Sequence, residues 1–169
     1  KAVIGLNLCP FARAVYAADR IRYAVSDATT VKALLEVLAA ELEVLAEADE
    51  NKIETTLLIH PQVLGDFLDY NDFLEVADAL IEDLGLDGVL QVAGFHPQYQ
   101  FAETEADDIT NYTNRSPYPT LHLLRESSVE RAVAAHPDTE QIYRDNIKTL
   151  RRLGREGWER LDVGLPRKS

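Results

Sequence analysis

The chain has 169 residues, 46% of them hydrophobic and 27% charged, enough for one domain of ordinary size spanning 1–169 with a continuous core. Its net charge of −12 argues against wrapping a nucleic-acid backbone, which needs clustered positive charge, and no apolar run approaches the ~18 residues that span a bilayer. The single cysteine, Cys9, excludes an intrachain disulfide and fits a reducing cytosol, so a cytoplasmic location is expected.

Residues 2–18 are faintly signal-like, but Asn7, Pro10 and Arg13 interrupt the apolar run, and a cleaved leader is not expected. The chain starts at Lys1 and contains no methionine, so a segment upstream of Lys1 is expected. Cys9-Pro10-Phe11 resembles the start of a redox helix superficially. It lacks a second cysteine and has the apolar neighbours Leu8 and Phe11, as a structural thiol would.

Ile21–Val25 is short and β-branched and reads as a strand. Ser26 to Thr30 supplies turn and N-cap chemistry. Val31, Leu34, Leu35, Leu38, Leu42 and Leu45 then recur at helical spacing up to about Ala48. Thr55–Ile59 is a continuous apolar strand ending in His60-Pro61. A second helix is expected from about Asp69 or Tyr70 to Leu84, with Gly85 as its stop. The acids Asp66, Asp69, Asp72 and Glu75 fall at its positive end. A third strand, Val89 to Phe95, also ends in a His-Pro pair, His96-Pro97.

Residues 97–119 show no clear regular element, although Gln98 to Phe101 can extend a strand. Irregular connections this long are uncommon in compact domains and are usually functional or disordered. Tyr99, Phe101, Ile109, Tyr112 and Tyr118 give this one its own packing material. Thr120 to Leu124 reads as a fourth strand. Ser127 and Glu130 have capping-box spacing before a short helix to about Ala135. Pro137 suits the first turn of a final helix carrying Ile142, Ile147, Leu150 and Leu153, and His136 before it reads as a cap or surface group. The tail is basic, with Arg144, Lys148, Arg151, Arg152, Arg155 and Arg160 on a solvated helix face.

Strands alternating with helices predict a layered α/β sandwich of about four strands, mostly parallel, with flanking helices. A ferredoxin-like α+β sandwich is the competing fold. In open α/β sheets ligands sit beyond the carboxyl ends of the strands. Three strands end in polar residues there: Ser26-Asp27, His60-Pro61 and His96-Pro97. Gly-rich phosphate loops and the GxSxG elbow are absent from the sequence.

Three segments together resemble a bacterial family of unknown function, numbered fourteen-fifteen among domains of unknown function. They are Gly5-Leu6-Asn7-Leu8-Cys9-Pro10-Phe11-Ala12, Phe95-His96-Pro97-Gln98-Tyr99-Gln100-Phe101-Ala102, and the stretch from Asn111 to Arg125, NYTNRSPYPTLHLLR. The resemblance covers essentially the whole chain and implies no activity.

The residues therefore carry the functional reading alone. His60 and His96 are the candidate acid–base residues, since an imidazole both accepts and donates a proton near neutral pH. With His122 they are also candidate ligands for zinc or another divalent ion, with Asp27, Asp66 or Asp69 completing the shell. Asn111, Tyr112, Asn114, Arg115, Ser116 and Tyr118, with His122 and Arg125 on the next strand, are the candidate substrate contacts. Arg115 offers a planar fork for a carboxylate or phosphate. The plainer alternative is that Arg115 pairs with Asp107 or Asp108 inside the loop. The expectation is a small cytosolic enzyme acting on a small anionic metabolite, with no nucleic-acid or membrane partner. Rivals are a non-catalytic anion- or peptide-binding module and a thiol redox protein centred on Cys9.

Overall fold

The computed structural model describes residues 1–135 and 138–163. His136 and Pro137 lie outside the described residues. Two short helices come first, α1 (Ala2–Gly5) and α2 (Ala12–Ala17). There follow β1 (Ile21–Val25), α3 (Val31–Glu47), β2 (Thr55–Ile59), α4 (Phe67–Asp83) and β3 (Leu90–Phe95). A 3-10 helix (Ile109–Asn114) interrupts the long connection to β4 (Thr120–Arg125), and α5 (Glu126–Ala135) and α6 (Thr139–Arg160) complete the order.

The four strands form one sheet in the order β1-β2-β4-β3. β1 and β2 are parallel, whereas β4 is antiparallel to both β2 and β3. The expectation of a mostly parallel sheet is therefore corrected: the sheet is mixed, with one parallel pair. β1, β2 and β3 still run in one direction, and β4 is inserted against it. The ferredoxin-like alternative needs a β-α-β-β-α-β order, which this chain does not have.

The core forms where sequence periodicity places it. Leu34, Leu38, Leu42 and Leu45 are the buried stripe of α3, and Tyr70, Phe73, Ala77 and Ile81 that of α4. Both stripes pack with Leu58, Leu90, Leu121 and Leu123 of the sheet in one cluster. Thr30 caps α3 by accepting from Ala33 N–H at 3.2 Å. Asp66 caps α4, accepting from Leu68 and Asp69 N–H, so this acid serves the helix start. Arg125 Nη2 donates to the carbonyls of Leu45, Ala48 and Ile53 at 2.7, 2.7 and 3.0 Å, closing the C-terminal end of α3.

Leu8 and Leu150 are buried but stand apart from the main cluster. α5 starts directly at Glu126, so Ser127 lies inside the helix and is not its N-cap. α6 changes direction at Gly154, whose φ of 63° is open to glycine at little cost. Among the described residues no helix is long and apolar enough to cross a membrane.

Candidate functional site

Because β2 and β3 run in the same direction, His60 and His96 leave the sheet at the same edge, separated by the start of β4. Both are fully enclosed, with 0% of their surface exposed. The ring of Tyr70, in the first turns of α4, packs against both, stacked on His60 and tilted against His96. Its centroid is 5.9 Å from that of His60, the planes nearly parallel at 14°, and 5.0 Å from that of His96 at 38°. Tyr70 Oη donates to Thr120 O at 2.7 Å, and burial pushes its phenol well above the ordinary value. Gly94 makes this approach possible, since a Cβ there would lie 2.6 Å from Tyr70 Oη. The sequence reading missed Tyr70. Its signal was an aromatic hydroxyl one turn after the Gly65-Asp66 helix start.

Hydrogen bonds fix a different tautomer for each histidine. A carbonyl only accepts, so His60 Nδ1 carries the proton it gives to Val63 O at 3.1 Å. His60 Nε2 is then a bare acceptor, enclosed, with no partner among the described residues. In His96 the roles reverse. Nδ1 accepts from Gln98 N–H at 3.0 Å, so Nε2–H donates to Leu64 O at 3.1 Å. Burial lowers the pKa of both. The neighbouring His96 lowers that of His60 further, and the Leu64 carbonyl and Asp66 partly offset the shift of His96. The segment 61–66 is thus held by both rings, and Leu64 sits in the left-handed region at φ 57°, a costly conformation for a branched residue.

The long loop uses its polar groups largely on itself. Asn111 is fully buried: Oδ1 accepts from Phe101 N–H and Thr104 Oγ1, and Nδ2 donates to Glu105 O. Asn114 Nδ2 donates to Gly94 O. Arg115 donates to Tyr99 O and Ala106 O and lies over the Tyr112 ring at 4.4 Å; Tyr112 in turn packs edge-on against Trp158. The alternative pairing of Arg115 with Asp107 or Asp108 does not form, because Asp107 pairs with Arg155 and Asp108 caps the 3-10 helix. Ser116 Oγ donates to Tyr118 O, and Tyr118 is 39% exposed at the loop's end.

Two expected members stand elsewhere. His122 pairs with Leu57 and Ala93 on the sheet face away from α3 and α4, beside the Phe95 ring. Arg125 is at the opposite edge, because β4 runs against its neighbours and carries its last residue away from His60 and His96. Neither joins the two histidines, and the three-histidine ligand set does not assemble. Among the described residues no three His, Cys, Asp or Glu side chains are grouped to hold a metal ion. Asp27, Asp66 and Asp69 are exposed. Cys9 lies half-buried in the turn between α1 and α2, with no second thiol.

A family model described as "Protein of unknown function (DUF1415)" matches residues 1–160. The chain belongs to this family. The match takes in both His-Pro strand ends and the whole 97–119 loop of this DUF1415 chain. No significant match to a curated protein or to a solved structure was found.

Proposed function

We propose that this DUF1415 chain is a small cytoplasmic enzyme whose general base is His60, working at the carboxyl edge of β2 and β3 on a small metabolite. One observation carries the reading: an enclosed Nε2 without a partner among the described residues, on an imidazole already oriented through Nδ1–H. Leaving a buried acceptor unmade costs about 1–3 kcal/mol, and such groups call for an explanation that function supplies. Burial keeps the ring neutral at pH 7, so its lone pair is available to take a proton. His96 acts as a positioning residue through Leu64 O, and a substrate reaches Nε2 when the segment 61–66 moves.

An anionic substrate requires Arg115 to exchange its bonds to Tyr99 O and Ala106 O for the ligand. The binding-module reading makes the same demand of Arg115. A divalent ion such as zinc would find only one free imidazole nitrogen here, since both nitrogens of His96 are engaged. The base reading needs neither a freed Arg115 nor a second free nitrogen, only movement of the segment 61–66.

A metabolite turnover screen with the wild type and His60→Asn tests it. The Asn amide can replace Nδ1–H toward Val63 O but has nothing at Nε2. Turnover is expected to fall by roughly 100-fold or more, with the melting temperature nearly unchanged. Undiminished turnover in the variant would sink the proposal, and a metabolite bound without turnover by the wild type would favour the binding module.

A further inference from the structure

Among the described residues β1 is an edge strand, paired with β2 alone. The bonds at its two ends fix which way its backbone groups point. Ser26 N–H donates to Ile59 O at 2.8 Å, and Arg20 O accepts from Glu54 N–H at 2.9 Å, so positions 20 and 26 face β2. Successive residues of a strand turn their N–H and C=O groups to opposite sides. Arg22 and Ala24 therefore also face β2, and Ile21, Tyr23 and Val25 present theirs outward. Among the described residues none hydrogen-bonds to these outward groups. The other edge is different: Asn114 donates to Gly94 O and accepts from His96 N–H, laying the long loop along the end of β3.

Exposed edges are normally blunted by proline, lysine, a bulge or a covering segment. β1, IRYAV, has no proline or lysine and an unbroken register from Ile21 to Val25. Its one charge, Arg22, is held on the helix side by Glu41 at 2.7 and 3.0 Å. On the other side Tyr23 and Val25 are 56% and 72% exposed.

We propose that β1 pairs with β1 of a second copy of this chain, antiparallel about a two-fold axis at Tyr23. The register follows from the outward groups. With Tyr23 opposite its own copy, Ile21 lies opposite Val25, and each facing pair exchanges both N–H···O=C bonds. On one face exposed Tyr23 and Val25 and half-buried Ile21 meet their copies as a tyrosine pair flanked by Ile–Val pairs, the combination that stabilises sheets. On the other face Arg22 lies opposite Ala24, so like charges are not opposed. β1 itself contains no acidic residue, so the seam from Ile21 to Val25 sets no acids against each other despite the net charge of −12. This self-complementarity is what commits the edge to a second copy. A five-residue seam falls short of the ~800 Å² per partner of a standard interface, so the association is weak and concentration-dependent.

Sedimentation velocity on the full chain, from low micromolar to near-millimolar, tests the pairing. The wild type is expected to pass from monomer to dimer across the series. Tyr23→Lys sets two ammonium groups face to face on the axis and is expected to weaken association at least tenfold without changing the melting temperature. Val76→Lys makes the same charge change at an exposed position of α4 and is expected to associate as the wild type does. In a Cys9→Ser background, Tyr23→Cys is expected to give a disulfide-linked dimer on mild oxidation, because hydrogen-bonded antiparallel neighbours lie about 5.5 Å apart at Cα. A wild type that stays monomeric throughout, or a dimer indifferent to Tyr23→Lys, overturns the proposal.

Discussion

His122 lies beside the Phe95 ring, and burial pushes its imidazole down to about 4. His60 and His96 are shifted in the same direction. In the unfolded chain all three take up protons near pH 6.5, whereas the folded chain resists until lower pH. The unfolded state therefore binds more protons in that window, and stability rises with pH there. The contribution is complete above about 6.5 and is lost as pH falls toward the folded values, by up to about 1.4 kcal/mol per histidine per pH unit. Replacing His122 by Leu removes one such slope. Thermal melts at pH 8 and pH 5 are expected to show a near-neutral variant at pH 8 and one more stable than the wild type at pH 5; equal losses in both proteins would contradict the assignment. At this scale His60 and His96 were legible, because a polar residue ending an apolar strand is conspicuous. The duty of Asn111 and Arg115 was not. A sequence does not show which loop carbonyls and N–H groups lack partners, and those groups claimed both side chains.

Elements were legible wherever apolar spacing determines them, as in the leucine stripe of α3. The direction of β4 was not, because an alternating pattern reads the same either way and a connection of 97–119 is long enough to allow both. The 3-10 helix inside that loop escaped for a related reason: it is too short for a period, and the side chain of Asp108 sets its start. Reversal of β4 is also what gives Arg125 its place. There it binds the last carbonyls of α3 as a buried cation at the negative end of the helix. Arg125→Met keeps the aliphatic bulk and loses those bonds, and urea denaturation is expected to show a loss of about 2–3 kcal/mol. A loss below ~0.5 kcal/mol would mean that water serves the carbonyls as well. Any activity dependent on His60 is expected to survive in the folded variant, since Arg125 is at the other edge.

Across the whole molecule one sheet organises two separate surfaces. Its carboxyl edge gathers His60, Tyr70 and His96 under the segment 61–66, and its β1 edge is left unpaired by the described residues. The general α/β class followed from the alternation of strands and helices. Convergence of the two histidines depended on β1, β2 and β3 sharing a direction, which the inserted β4 leaves intact. Tyr70 could be placed against both rings only once α4 was packed on the sheet, with Gly94 beneath it. The base reading rests on the protonation of those rings in the intact protein, and long-range ¹H–¹⁵N NMR of histidine-labelled chain between pH 5 and 8 observes it directly. The expected spectrum has His60 neutral with its proton on Nδ1, His96 neutral with its proton on Nε2, and both titrating below 6.5. A proton on His60 Nε2 at neutral pH, or a His60 midpoint above 6.5, would contradict the account.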